Sequence, residues 1–161
     1  RSQERSPVKL AFGADHAGFQ LKDHLVAYAR GLGHDVRDLG TNGPASVDYP
    51  DFAVAVANEV VAGRVDLGVV ICSNGVGISI TANKVVGIRA ALCHTSWGAA
   101  RARQHVNANV LALGGLEIGT AIAEEILNAF VSNEFEGGRH ERRVSKLMDV
   151  EGTGIAAESL T

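Results

Sequence analysis

Cys72 stands at the end of the apolar run VDLGVVIC (65–72) and opens the glycine-rich stretch CSNGVG. Successive backbone N–H groups in such a loop, leading into a helix, cradle an anion. That anion is either a phosphate or an oxyanion that develops during a reaction. A thiol at the mouth of the loop lies close to a helix N-terminus, which favours the thiolate. Cysteine is also a common small core residue, and Cys93, at the end of GIRAALCH (87–94), is read that way. The glycine loop sets Cys72 apart. Gly75-x-Gly77 is followed by Ile80, not Gly or Ala, and comes after the third strand-like run, so a dinucleotide fingerprint is a poor fit.

The first such run, VKLAFGAD (8–15), ends in GADHAG. Gly13 and Gly18 have the spacing of the outer glycines of a P-loop. Phe19-Gln20 stand where Lys-Ser/Thr is required, which argues against nucleoside triphosphate binding. Asp15 and His16 remain. Asp15 alone is explained by capping the next helix; the adjacent His16 points to a ligand, because capping needs only one of the pair. Further on, ARARQHVNAN (100–109) offers His105 near a helix end. GGRHERR (137–143) offers Arg139 and Arg143, one helical turn apart and suited to a phosphate. A solvated basic face paired with Glu136 and Glu141 explains the arginines equally well. No Cys/His cluster has zinc-ligand spacing, and no G-x-S-x-G elbow is present.

The elements that position these residues alternate. Apolar runs at 8–15, 34–40, 65–72, 87–94 and 108–115 read as strands. Between and after them lie helical stretches at 18–33, from Pro50, and at 77–84, 96–105, 117–133 and 139–150. In the first helix Leu21, Leu25, Tyr28, Ala29 and Leu32 share a face; in the last, Val144, Leu147 and Met148 form the packing face. This pattern predicts an α/β fold, a three-layer α/β/α sandwich around a five-stranded parallel, Rossmann-like sheet. Residues 1–150 are expected to form one domain and 151–161 a loosely held tail. Ligands of such sheets bind beyond the carboxyl ends of the strands.

Bulk properties agree. The 161 residues are 46% apolar with a net charge of −3, ordinary for a globular chain and giving no reason to expect nucleic acid or an anionic membrane as partner. No apolar stretch reaches spanning length. RSQERSPVKL (1–10) lacks the apolar core of a signal peptide, so a cytoplasmic setting with reduced thiols is expected.

Together these stretches resemble the type B ribose-5-phosphate isomerase family, which includes galactose-6-phosphate isomerase subunits. The resemblance rests on AFGADHAGFQLK, DLGT, DYPDFA, VDLGVVICSNGVGISITANKVVGIRA, RQH, NVLALGG and EGGRHERRV, in the expected order from about residue 9 to 150. It implies aldose–ketose isomerisation of a phosphosugar through an enediolate, without metal or other cofactor. Cys72 matches the family's base, and the N–H groups of residues 73–77, including Gly75, Val76 and Gly77, would stabilise the enediolate. His105 matches the ring-opening residue and Asp15 a partner of ring hydroxyls. His16, Arg139 and Arg143 match phosphate ligands, and Tyr49 lines the pocket. Homodimers or dimers of dimers, with sites across an interface, are implied as well.

Three positions depart from the family pattern. Cys-Gly-Thr-Gly becomes Cys72-Ser73-Asn74-Gly75, so Asn74 occupies the hydroxyl helper's position, with Ser73 as a possible substitute. The family's His-Asn becomes His105-Val106, and the arginine after Gly-Gly becomes Leu116. Each subtracts a polar contact, and an unpaired substrate oxygen costs about 1–3 kcal/mol. Ribose 5-phosphate is the expected substrate. A four- or six-carbon sugar phosphate, or a phosphosugar-binding module without turnover, are the alternatives.

Overall fold

Alternate residues of a strand point to opposite faces of its sheet, so a strand apolar at every position needs cover on both. The computed structural model, which describes residues 6–153, provides that cover. Its elements are β1 (Lys9–Ala14), α1 (Phe19–Gly31), β2 (Asp35–Asp38), α2 (Tyr49–Val61), β3 (Leu67–Cys72), α3 (Val76–Asn83), β4 (Ala90–Leu92), α4 (Ser96–Val106), β5 (Val110–Gly114), α5 (Thr120–Ser132) and α6 (Arg139–Thr153). The five strands are all parallel, in the order β2-β1-β3-β5-β4.

Leu10 and Phe12 of β1, Val69 and Ile71 of β3, and Leu111 and Leu113 of β5 pack with α1, α4 and α5. The intervening Ala11, Val70, Cys72, Val110 and Ala112 pack with α2 and α3 on the other face. Cys72 and Cys93 therefore lie on opposite sides of the sheet. No described helix is long and apolar enough to cross a membrane.

Differences from the sequence expectations are local. The run at 87–94 pairs over three residues only, because β4 is an edge strand, half-exposed rather than sandwiched. Asn83 closes that edge: its amide donates to Ala90 O and accepts from Ala90 N (2.9 and 2.7 Å). The helix expected from 117 begins at Thr120, because the N–H groups of Glu117 and Ile118 turn back to Gly114 O. Leu32, expected on the buried face of α1, is its C-terminal capping residue and is exposed. Residues 151–153 are not tail but the end of α6. Both carboxylate oxygens of Glu151 accept from Gly87 N (3.1 Å), which fastens the helix there. The remainder of the expected tail lies outside the described residues. Along α6, Val144 and Met148 are half-buried while Leu147 is exposed, so its apolar stripe is only partly covered.

Lys22, in the first turns of α1, is completely buried. Its ammonium donates to Asp38 (2.7 and 2.8 Å), Asp23 (2.7 Å) and Asn42 (3.0 Å). Removing one member of a buried ion pair leaves the other uncompensated. Lys22→Ala is expected to cost roughly 3 kcal/mol, read as a lowered urea midpoint with an unchanged slope, and Lys22→Met to recover the part owed to the aliphatic stem. A loss indistinguishable from that of an exposed lysine on α1 would refute this.

Candidate active site

In this strand order β2 lies on one side of β1 and β3 on the other, so the chain reverses direction between β1 and β3. The crevice outside their carboxyl ends is where such sheets take ligands. Asp15 and His16 follow β1 there, and the Cys72 loop follows β3.

Backbone bonds join these loops. Asp15 N donates to Ile71 O (3.2 Å), Gly115 N to Cys72 O (2.8 Å) and Leu116 N to Ser73 O (3.0 Å). Asp15 is buried, and its Oδ1 accepts from the N–H groups of Ala17 and Gly18 (3.0 and 3.1 Å). These bonds brace the turn ahead of α1 rather than cap the helix, whose N-cap is Gly18 with no side-chain cap bond, and they fix the carboxylate at the wall of a cleft. His16 Nδ1 accepts from Val47 N (3.2 Å), which ties the 41–48 connection to the same place. Asp15, His16 and residues 46–51 enclose a cleft of about 530 Å³.

Tyr49 opens α2, with Asp48 at the N-cap and Pro50 in the first turn, where its missing N–H costs nothing. The Tyr49 ring lies flush on Gly77: a Cβ there would come within 2.6 Å of it. Gly75 caps α3 with φ +77°, a left-handed conformation that strains any other residue. Asn74 Oδ1 accepts from Val76 N (3.1 Å). That contact fixes the amide's orientation and uses the Val76 N–H expected for the oxyanion. The Asn74 NH2 and the first-turn N–H of Gly77 are among the donors left to a ligand at this helix end. Ser73 and Asn74 are exposed, Leu116 is 75% exposed at the rim, and Cys72 is buried at the top of the α2/α3 core.

The remaining expected residues lie elsewhere. A helix after a parallel strand runs back towards the opposite edge of the sheet. The nine residue steps along α4 from Ser96 to His105 carry His105 about 14 Å from the edge where the helix begins. His105 is thus not brought to Cys72 within one chain. It meets α6 instead: its ring stacks on His140 at 4.0 Å between centroids and 10° between planes. Its Nε2 lies 3.3 Å from Glu136 Oε1. Glu136, with Glu141 a partner of the arginines in the alternative reading of them as a solvated basic face, is held against α4 by the bond from its own N–H to Gln104 O (3.0 Å). Arg143 lines a second hollow of about 270 Å³ with His105, Val106, His140, Val144 and Leu147. Arg139 stands close enough for its charge to be felt at His140. Loss of water is the largest of the effects that hold the His140 imidazole below its ordinary value. His105, Arg139 and Arg143 add to it, and Glu136 opposes.

One chain therefore holds two half-sets: Cys72, Asp15, His16, Tyr49 and the 73–77 loop at the carboxyl edge, and His105, Arg139 and Arg143 towards the other. Sequence reasoning missed His140 and the Glu136–His105 pair. The shared motif EGGRHERR held both residues, but spacing does not say which neighbour a side chain meets.

A family model described as Ribose/Galactose Isomerase matches residues 10–147. Ribose-5-phosphate isomerase B of Escherichia coli (strain K12) is 46% identical over 143 residues, 89% of this chain and 96% of that protein. D-erythrulose-4-phosphate isomerase of Pectobacterium atrosepticum is 40% identical over 142 residues, 87% of this chain and 93% of that protein. Among solved structures, ribose-5-phosphate isomerase B of Clostridium thermocellum superposes with a TM-score of 0.89 at 46% identity, covering 91% and 99% of the two chains.

The two thiols differ in setting. Burial pushes Cys93 up to about 11. A thiol raised in this way stays protonated near neutrality, and its stabilising contribution is lost as the pH climbs from about 9 through 11. Iodoacetamide at about pH 8 is expected to label Cys72 before Cys93, with Cys93 labelling rising about tenfold per pH unit up to its titration. Mass mapping reads both; equal labelling at the lower pH would contradict the assignment.

Proposed function

The chain belongs to the ribose/galactose isomerase family and is a sugar-phosphate isomerase, and from that premise we propose that it interconverts ribose 5-phosphate and ribulose 5-phosphate with Cys72 as the base. The observation that carries this is the location of Cys72 at the β1/β3 crevice, over the N-terminus of α3 and beside Asp15. Relatives named for ribose 5-phosphate support the substrate.

In this mechanism the open-chain aldose presents C2 to the Cys72 thiolate. The thiolate takes the C2 proton, and the electron pair moves to form the enediolate. Developing negative charge on O1 meets the Gly77 N–H and the Asn74 amide, which need no reorganisation at that moment. The thiol returns the proton to C1, and a proton passes from O2 to O1, leaving the ketose. His105 opens the furanose ring beforehand, by giving a proton to the ring oxygen and accepting one from the anomeric hydroxyl. Asp15 binds ring hydroxyls; His16, Arg139 and Arg143 hold the phosphate. The C2–H carbon acid must be held close to the thiolate for this exchange to compete with water.

Because the two half-sets stand apart in one chain, the same proposal has a homodimer, or a dimer of dimers, in which His105 and the arginines of one copy complete the Cys72 half of the other. The half-covered apolar stripe of α6 supports an interface on that side. A cytoplasmic setting belongs to the proposal too, on the strength of the metabolic relatives.

A second substrate has two altered positions in its favour. Asn74 presents an amide NH2 where the family has a hydroxyl, and Leu116 places an apolar side chain where it has an arginine. The 40% identical relative named for D-erythrulose 4-phosphate makes a four-carbon substrate the leading alternative.

Proton NMR in D2O tests both the sugar and the base. With ribose 5-phosphate, erythrose 4-phosphate, allose 6-phosphate and galactose 6-phosphate, the native protein is expected to isomerise ribose 5-phosphate with exchange at C2, and Cys72→Ala to do neither. Exchange with the four-carbon sugar alone would move the substrate. Undiminished exchange in Cys72→Ala would remove the base, and binding without exchange would favour a non-catalytic module.

Subunit sharing has its own test. Cys72→Ala and His105→Ala chains, each inactive alone, are mixed under denaturant and refolded. Random pairing restores about a quarter of native activity if each site draws on two chains. No restoration, with mixed dimers present, would mean that each chain builds its site alone.

A further inference from the structure

Three side chains that approach one another from three different segments have no common task in the isomerisation. His105 comes from the end of α4, Glu136 from the α5–α6 connection and His140 from the first turn of α6. Each offers a ligand atom, and the three atoms lie within 4.8 Å of one another. We propose that they form a site for a borderline-soft divalent cation such as Zn2+, and that the ion inhibits the enzyme by occupying His105.

The donor set suits such an ion. Two imidazoles and one carboxylate with a fourth position open is a common zinc arrangement, with metal–ligand distances of about 2.0–2.2 Å. Tetrahedral geometry at those lengths separates neighbouring ligand atoms by about 3.3–3.5 Å. His105 Nε2 and Glu136 Oε1 are already 3.3 Å apart. His140 supplies the remaining movement: its ring stacks parallel to His105 at 4.0 Å, so it must turn until both lone pairs converge on the ion. The hollow beside it gives room for that turn, since His140 is only half-buried and lines it. The frame behind the ligands is firm. Glu136 N donates to Gln104 O, and Gln104 Nε2 donates to Asn133 Oδ1 (2.7 Å), locking the 133–136 segment to α4. Calcium and magnesium, which prefer oxygen ligands, are poorly matched to two imidazoles.

The ion is an inhibitor and not a cofactor here. Metal at a His105 ring nitrogen removes the lone pair or the proton that ring opening needs. This half of the proposal rests on the role given to His105 above; the binding half does not.

The test uses the native protein with Zn2+ alone, and with Co2+ as a spectroscopic stand-in. Calorimetry is expected to find one Zn2+ per chain, and Co2+ to give the visible absorption of a tetrahedral site. Glu136→Gln and His140→Ala, each checked for fold by circular dichroism, should weaken Zn2+ binding at least about tenfold. Saturating Zn2+ should lower turnover of the native enzyme at least tenfold, reversibly with chelator, and each variant should need correspondingly more ion relative to its own metal-free rate. Absence of Zn2+ binding overturns the proposal. Inhibition unchanged in His140→Ala also overturns it, and assigns the ion to the Cys72 thiol. Stoichiometric binding that both variants weaken, without any inhibition, upholds the ion site and overturns the place of His105 in the reaction.

Discussion

A charged ammonium in the interior is tolerated only if it is paired and its N–H groups are satisfied, and Lys22 meets that condition with the carboxylates of Asp38 and Asp23 and the amide oxygen of Asn42. The carboxyl edge of the sheet depends on this contact. Asp38 also accepts from Gly40 N (3.0 Å). Gly40 O then accepts from Ala14 N, and Thr41 N donates to Ala14 O (2.8 and 2.7 Å). Ala14 is followed by Asp15. The carboxylate at the cleft wall is thus held by an uninterrupted run of hydrogen bonds that begins at a buried charge on α1. Apolar packing alone would leave the end of β1 free to shift against β2, and reaction geometry tolerates such shifts badly.

The direction of a parallel sheet imposes a second constraint. Loops after strands gather at one edge, and helix ends gather at the other. Groups carried in the same chain on a loop and on a helix end are kept apart by the length of the helix between them. Cys72 and His105 stand in that relation. The 133–140 segment bridges α5 and α6 beside the end of α4 and brings Glu136, His140 and Arg143 to His105. Each half-set is locally well fastened, and the separation lies between the halves.

The layers of the fold were legible because both periodicities are strong. β3 is apolar without a break, and α1 and α5 carry their buried residues three and four apart. The strand-end residues were legible too: Asp15, His16, Cys72 and the 73–77 loop adjoin strands, and their location follows from that. Lys22 was not legible as a core residue, because its partners Asp38 and Asn42 lie 16 and 20 positions away. The commitment of Val76 N–H to Asn74 escaped for another reason. The residues are two apart, yet the sequence does not say which way an amide turns. Glu136 illustrates the limit of charge counting: among nearby arginines it pairs with a histidine 31 positions back, because a backbone bond decides where it stands.

Asn83 has a consequence beyond its own residue. An edge strand displays unpaired N–H and C=O groups that invite another strand to join. At β4 the outward groups of Ala90 are both taken by the Asn83 amide, which imitates one residue of a neighbouring backbone. At the far edge β2 presents Asp35, Arg37 and Asp38 within four residues. Both margins thus carry features that discourage a further strand, a side chain bonded to the edge backbone at β4 and charges at β2. Pairing edge to edge therefore costs a copy of this chain the Asn83–Ala90 bonds at one margin and brings the charged side chains of β2 together at the other, which favours contacts through helices and loops.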